Sequence, residues 1–211
     1  MSETTDELRQ WAETSMVRAH NVRYVRECAG YIDSEMIVLP RDARGIPIHV
    51  GDAMSGDGTW HVAGLRMYCR NGQGDADDAG GRWEVYPALS FPFDGCVGMR
   101  PEGLEHAGDC PVTREESGFV NDLRDWARLV TIIGSREDRE LDALVSRIGE
   151  EMLARPTGAD GMPIRVGDRV LLGPVRCTVR SIVWMGKDSR ILVASDGDFV
   201  GGWVTPLMIR H

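Results

Sequence analysis

Hydrophobic residues recur with the period of an α-helix at two places in the chain, and the two patterns match. Their spacing is i, i+3, i+4, i+7 and i+11, which places them along one side of an amphipathic helix. The first stripe is Val25, Cys28, Ala29, Ile32 and Met36, and the second, 116 positions later, is Leu141, Leu144, Val145, Ile148 and Met152. The pattern predicts one amphipathic helix in each half of the chain.

A second similarity precedes each stripe. Residues 6–12 read DELRQWA and residues 121–127 read NDLRDWA, so that Trp11 corresponds to Trp126. Ser135 and Asp138 have the spacing of a helix cap just before the second stripe. Each half is therefore predicted to begin with a helical hairpin.

The period changes to two after a repeated octapeptide, GIPIHVGD at 45–52 and GMPIRVGD at 161–168. In the second half, the alternating segments are separated by glycine-rich turns and number four or five. A hydrophobic-x-Pro sequence also recurs, as Val85-Tyr86-Pro87 and Val204-Thr205-Pro206. We expect the octapeptide to start the β part of each half, which forms a small SH3-like β-barrel or a curled antiparallel sheet.

Together these patterns predict an α+β protein that is a tandem duplication of one module, a helical hairpin followed by the barrel or sheet. The predicted divisions are a first module at 1–90, a linker at 91–119 that contains glycine, proline and cysteine, and a second module at 120–211. The linker has no counterpart in the second half.

The charge of the chain is uneven. The formal net charge is −9, and all of it lies in residues 1–120, because the acids and bases of residues 121–211 balance. No apolar run approaches the roughly 20 residues that a membrane helix needs, and the polar N-terminus is unlike a signal peptide. We therefore expect a cytoplasmic protein with no membrane contact.

Cys96, His106 and Cys110 lie close together in the sequence and are candidate zinc ligands. Structural zinc sites usually need four such ligands, and the paired CxxC or CxxH spacing is missing here. Free thiols are the alternative interpretation, and we expect neither a metal nor a cofactor.

A basic strand face is another candidate. Arg176 and Arg180 share a strand face with Thr178, and Arg165, Arg169 and Arg190 lie nearby in the sequence. Such a face neutralises phosphates in nucleic-acid-binding proteins, whereas a solvated face paired with local carboxylates is the simpler interpretation. Because the first half is acidic, we expect no broad, direct binding of nucleic acid.

The phrase D-x-x-G-x-P-I-x-x-G-D, followed by a short β module, resembles a segment of phage and prophage accessory proteins from gut actinobacteria. The matching residues are Asp42, Gly45, Pro47, Ile48, Gly51 and Asp52, and then Asp160, Gly161, Pro163, Ile164, Gly167 and Asp168. The resemblance implies a mobile genetic element as the setting, and it brings no assigned chemistry and no catalytic residues.

These observations predict a non-catalytic, phage-derived binding protein. Its expected activity is that of an acidic counter-defence inhibitor, similar to anti-CRISPR proteins, which acts on a host protein complex that handles nucleic acid. Acidic side chains would compete for a basic nucleic-acid groove of the partner. The candidate carboxylates are Asp75, Asp77, Asp78, Glu84, Glu102, Glu105 and Asp109.

Two alternatives stay open. In the first, the protein is a phage scaffold or adaptor that binds through exposed aromatic residues such as Trp60 and Trp203. In the second, it is an enzyme or metal protein whose site residues are scattered along the sequence, with Cys96, His106 and Cys110 at the centre.

Overall fold

The structure, a computed structural model, describes residues 3–14, 19–56, 58–69, 81–87, 98–108, 118–131, 134–186, 188–195 and 201–211. It separates into two compact units, each built from two segments of the chain. The helical unit comprises Met1–Leu39 and Thr113–Ala154, and the β unit comprises Pro40–Val112 and Arg155–His211. Each unit therefore combines residues from both predicted modules. The predicted boundaries at 90 and 119 follow the sequence repeat and stay a prediction.

Two helices followed by six strands occur twice along the described chain. In chain order they are α1 (Glu3–Thr14), α2 (Ala19–Glu35), β1 (Met36–Val38), β2 (Ala53–Gly56), β3 (Gly58–His61), β4 (Gly64–Cys69), β5 (Gly81–Tyr86), β6 (Glu105–His106), α3 (Gly118–Val130), α4 (Arg136–Glu151), β7 (Met152–Ala154), β8 (Arg169–Leu172), β9 (Val175–Met185), β10 (Asp188–Ser195), β11 (Gly201–Val204) and β12 (Ile209–Arg210). Short 3₁₀ helices at Pro101–Gly103 and Pro206–Met208 precede β6 and β12.

Both predicted apolar stripes are buried in the core of the helical unit. All ten of their side chains belong to one hydrophobic cluster, together with Leu8, Trp11, Val120 and Leu123. Ser135 caps α4 as predicted, because its side chain accepts a hydrogen bond from the Asp138 backbone N–H. The predicted amphipathic helices are confirmed for the first four residues of each stripe, whereas Met36 and Met152 begin the strands β1 and β7 instead of continuing the helices.

The two helical hairpins end in strands that pair with each other. β1 and β7 are antiparallel, with Met36 opposite Ala154 and Val38 opposite Met152. Met152 and Ala154 stand 116 positions after Met36 and Val38. Met36 therefore faces the counterpart of Val38, and Val38 faces the counterpart of Met36. This pairing joins the two halves of the chain inside the helical unit.

The strands of the β unit form antiparallel sheets, so the mixed α+β class is confirmed. One sheet has the order β3-β2-β6. The larger sheet has the order β11-β10-β9-β4-β5, with β8 on the edge of β9 and β12 on β8. In the larger sheet, β9 belongs to the second half of the chain and its neighbour β4 to the first half.

Of the two predicted forms of the β part, the SH3-like barrel is wrong, because no closed barrel forms among the residues that the structure describes, whereas the alternative of antiparallel sheets is confirmed. The strand β9 has 11 residues and is long enough to pair twice. Its first part pairs with β8, and its last part pairs with β4 of the other half, where Leu65 lies opposite Trp184. The last part of β9 therefore pairs with a strand of the first half, β4, and not with another strand of its own half on that side.

We predict that Leu123→Ala in α3 lowers the free energy of unfolding by about 2–5 kcal/mol, because it removes a buried side chain and leaves a cavity. Leu123 is 1% exposed, whereas Leu129 on the same helix is 83% exposed. The same substitution at Leu129 is the matched control and should change stability by less than about 0.5 kcal/mol. Urea denaturation followed by tryptophan fluorescence measures both, and equal losses would contradict the assigned core face.

Candidate binding surfaces

The repeated octapeptide forms a tight loop directly before β2 and directly before β8, as expected for the start of the β part. Gly51 and Gly167 have φ of 96° and 100°, a left-handed conformation that favours glycine. The aspartate that follows each glycine closes the loop. Asp52 Oδ2 accepts a hydrogen bond of 2.7 Å from the His49 N–H, and Asp168 Oδ2 accepts one of 2.6 Å from the Arg165 N–H.

A histidine ring joins each of these aspartates to a second carboxylate. His106 Nδ1 lies 2.9 Å from Asp42 Oδ2, and its Nε2 lies 3.1 Å from Asp52 Oδ2. In the second half, His211 Nδ1 and Nε2 each lie 3.3 Å from a carboxylate oxygen, of Asp160 and Asp168 respectively. Each ring therefore lies between two carboxylates. We call these groups the histidine clamps.

The two clamps use aspartates at different points of their loops. By the octapeptide alignment, Gly158 is the counterpart of Asp42, and Asp160 lies two residues further on. Both aspartates nevertheless reach a histidine close to the end of the β architecture. Asp42 and Asp160 therefore make the same kind of contact with a histidine, although they are not equivalent positions in the octapeptide alignment.

His106, one of the three candidate zinc ligands, lies between two carboxylates. Its side chain is 11% exposed, and both ring nitrogens have an aspartate partner. Cys96 and Cys110, the other two proposed zinc ligands, lie outside the described residues. Across the described part of the chain, the structure shows no group of three or more His, Cys, Asp or Glu side chains arranged to hold a metal ion.

The clamp changes the acidity of its aspartates. Burial by itself would raise the pKa of Asp52, but hydrogen bonds and ion pairing from His49 and His106 outweigh this effect and lower the pKa to about 2. Burial opposes the shift of Asp42 in the same way, and hydrogen bonds from His106 and from backbone N–H groups lower its pKa. Both aspartates are therefore held as carboxylates.

The second half of the β unit exposes three arginines on one sheet face. Residues directly opposite each other on antiparallel strands lie on the same face. Arg169 is opposite Thr178, and Leu171 lies opposite Arg176 on one side and opposite Arg210 on the other. Their neighbours Val170, Cys177 and Ile209 point to the other face and are at most 2% exposed. We call the surface formed by Arg169, Leu171, Arg176, Thr178 and Arg210 the arginine face.

The first half has a face with the same strand register but a different charge. Ser55 lies opposite Thr59 and Glu105, and Ala53 lies opposite His61. Glu105 and Arg210 occupy equivalent positions in the two halves. Glu105 pairs with Ser55, the third residue of β2, and Arg210 pairs with Leu171, the third residue of β8. Both side chains are exposed. We call the surface formed by Ser55, Thr59, His61 and Glu105 the glutamate face.

Two of the predicted partner-binding residues are engaged inside the larger sheet. Glu84 accepts a hydrogen bond of 2.6 Å from the Tyr86 hydroxyl and lies 3.6 Å from the Arg66 guanidinium. Arg66 also stands 5.9 Å from the centre of the Trp203 ring, which is a cation–π contact. Arg66 Nε donates to Ser181 Oγ of the other half at 2.8 Å. Glu84 and Trp203 therefore help to connect the two halves.

The remaining predicted residues are divided between the surface, the core and the part of the chain not described. Glu102 and Glu105 are exposed. Trp60 is half-buried and lies opposite Met54, so it faces the core side of its sheet. Asp75, Asp77, Asp78 and Asp109 lie outside the described residues.

The predicted basic stripe is brought together in part. Arg169 and Arg176 share the arginine face, and Arg180 is exposed further along β9 at a β-bulge. Arg190 lies opposite Val183 in the larger sheet, and Arg165 belongs to the octapeptide loop. Sequence reasoning missed Arg210. The alternation of Ile209, Arg210 and His211 after a proline is the signal that marks it as a short strand.

Comparison of the chain with protein-family models, with curated proteins and with solved structures finds no match. Among the helices that the structure describes, none is long and apolar enough to span a membrane.

We predict that the Asp52 carboxylate, with its His49 and His106 partners, stabilises the protein at neutral pH and loses this effect in acid. The pKa of Asp52 is about 2 in the folded chain, below the value of about 3.9 for an unfolded chain. Its contribution, about 2–3 kcal/mol, is complete above that unfolded value and declines as the pH falls towards 2. Asp52→Asn should therefore be less stable than wild type at neutral pH, and the difference should shrink with acid.

Urea denaturation at a series of pH values from neutral to about 2.5 measures this difference. Glu150→Gln, at an exposed position of α4, serves as the control and should stay within about 0.5 kcal/mol of wild type. A stability difference for Asp52→Asn that is the same at every pH would contradict a stabilising effect of the ionised Asp52 carboxylate.

Proposed function

We propose that this protein is a non-catalytic binding protein that presents two related β surfaces of different charge. The observation that supports this most directly is the exchange of Glu105 for Arg210 at one register position. The residues behind the two faces include the buried apolar side chains Met54, Val170 and Cys177, whereas the charged residues of the faces differ. A different charge on each face is expected where each face has its own partner.

The proposal includes the tandem duplication itself, which several registers support. The isolated bridges Arg41–Pro47 and Thr157–Pro163 are 116 positions apart. Pro101 and Pro206 both begin a 3₁₀ helix that leads into the strand bearing Glu105 or Arg210. In this alignment the counterpart of Val204-Thr205-Pro206 is Met99-Arg100-Pro101 rather than Val85-Tyr86-Pro87, so the first copy extends into the predicted linker.

The glutamate face is the surface that we propose for a protein partner. Glu105 lies on it, and Glu102 is exposed in the 3₁₀ helix just before β6. With the acidic balance of residues 1–120, these carboxylates suit a basic groove that normally holds nucleic acid. The function proposed is therefore inhibition of a nucleic-acid-handling host complex, as an anti-CRISPR-like counter-defence protein of a phage would do.

The internal contacts narrow the set of carboxylates that serve this role. Glu84 is bound by Tyr86 and Arg66, so its charge is partly compensated within the sheet. His106 is bound by two aspartates and acts in this proposal as part of the scaffold rather than as a catalytic group. Glu102 and Glu105 are the described carboxylates best placed to contact a partner.

We predict that the double variant Glu102→Lys/Glu105→Lys abolishes capture of a basic protein complex from bacterial lysate. Wild type should retain the complex at low ionic strength and release it at high ionic strength, because exposed charge pairs are screened by salt. The measurement is a tagged pull-down at both salt concentrations, with bound proteins identified by mass spectrometry.

The matched control is Asp122→Lys/Glu150→Lys, which reverses two exposed acids of the helical unit and changes the net charge by the same amount. It should capture the complex as wild type does. Equal loss in both double variants would mean that overall charge, and not the glutamate face, determines binding. Salt-resistant capture that neither variant affects would contradict the proposal.

A further inference from the structure

We propose that the arginine face is a second binding site, which contacts the phosphate backbone of a nucleic-acid duplex. This inference concerns the opposite half of the β unit from the glutamate face and does not depend on the identity of a protein partner. The proposal rests on the arrangement of Arg169, Arg176 and Arg210, on their surroundings, and on the composition of the face.

The three guanidinium groups extend from a compact and rigid base. Arg176 and Arg210 flank Leu171 from the strands on either side of β8. Neighbouring strands are about 4.8 Å apart, so these two backbone positions are roughly 10 Å apart. Arg169 is two residues before Leu171 on the same strand, which is about 6.7 Å away. The three side chains thus leave the same face of the sheet from backbone positions within about 10 Å of one another.

These arginines are available to an external anion. All three are exposed. Other arginines of the chain have acidic partners, such as Arg9 with Asp6, Arg23 with Glu27 and Arg136 with Glu140. In the described part of the chain, by contrast, no carboxylate lies within ion-pair distance of Arg169, Arg176 or Arg210. The simpler interpretation, a strand face paired with local carboxylates, does not describe these three side chains.

The composition of the face favours nucleic acid over an acidic protein. Protein interfaces are usually enriched in aromatic residues at their centre. None of the five residues that define the arginine face is aromatic, and its three charged residues are all arginines. Single strands are usually bound by stacking on aromatic side chains. A duplex backbone, which needs cations and no stacking platform, fits this surface better.

The glutamate face serves as an internal comparison. It has the same strand register, but its exposed residues are Ser55, Thr59, His61 and Glu105. Phosphate binding is therefore expected from one half of the β unit only. Since the protein as a whole is acidic, long-range repulsion opposes the approach of a polyanion, and the contact should be local and sensitive to salt.

The test is fluorescence anisotropy of a labelled DNA duplex of about 20 base pairs with the full chain, over a range of salt concentrations. Three phosphate contacts should give a slope near −3 for the logarithm of affinity against the logarithm of salt. The triple variant Arg169→Gln/Arg176→Gln/Arg210→Gln should bind at least about tenfold more weakly at low salt, with a slope near zero. Arg210→Glu alone should weaken binding more than Arg210→Gln.

The control is Arg23→Gln/Arg128→Gln/Arg136→Gln, which removes the same charge from exposed positions of the helical unit. It should bind more weakly than wild type by less than about threefold and keep the slope of wild type, because it leaves the contacts in place. Circular dichroism establishes that every variant is folded, since exposed arginines contribute little to stability.

Further ligands separate the possible occupants. Duplex RNA shares the phosphate chemistry and should also bind, whereas a single strand of the same length should bind more weakly. Wild type that fails to bind any duplex at low salt would overturn the proposal. Equal loss in the two triple variants would overturn it, and so would polyglutamate binding as tightly as the duplex, which would identify an acidic polypeptide as the occupant. The pull-down variants at Glu102 and Glu105 lie on the other face, so either proposal can fail without the other.

Discussion

The aspartate at the end of each octapeptide, buried at Asp52 and half-buried at Asp168, is the constraint on which the β unit depends. Asp52 and Asp168 close a loop by accepting a backbone N–H, and the same oxygen faces a histidine ring. The aspartates directly precede the strands β2 and β8, and the histidines lie at the end of β6 and directly after β12. In each half, one carboxylate therefore connects the loop before the first of these strands to the end of the last strand. A buried carboxylate without these partners would be costly, so the pairing also selects the loop conformation.

The second constraint is the exchange of strands between the two halves. β1 pairs with β7 in the helical unit, and β4 pairs with β9 in the β unit. Arg66 reinforces the second pairing, because it donates to Ser181 and lies over the rings of Tyr68 and Trp203. The polar and aromatic groups at this junction hold the two halves of the β unit together. The arginine face and the glutamate face are the surfaces in which the two halves differ.

The sequence predicts well those features that depend on local spacing. The apolar stripes of α2 and α4 are visible because a helix repeats every 3.6 residues, and Gly51 and Gly167 stand out because few other residues adopt their backbone conformation. The predicted barrel is wrong for a physical reason. Alternation shows which residues form strands, but Leu65 opposite Trp184 is a pairing between distant strands, and no local pattern specifies the partner.

The candidate sites divide in the same way. Arg169 and Arg176 are recognisable as a strand face, whereas Arg210 joins them through a two-residue strand at the far end of the half. Cys96 and Cys110, the sequence neighbours of His106, suggest zinc. The aspartate partners of His106 are 64 and 54 positions away, so no local pattern in the sequence indicates their contact with the histidine. Glu84 is a candidate because of its charge. Its charge does not indicate that Tyr86, two residues further along the same strand, lies on the same side and donates a hydrogen bond to it.

The reciprocal registers have a consequence for the ancestry of the chain. In β1 and β7, Met36 faces the counterpart of Val38, and Val38 faces the counterpart of Met36. Two identical strands related by a twofold axis pair in this way. Under the proposed tandem duplication, a single module would therefore pair with a second copy of itself through this strand, and joining the two copies in one chain makes the association intramolecular and independent of concentration. One chain with two copies can also carry different residues in each copy, which a homodimer cannot, and the proposed acidic and basic faces would depend on that difference.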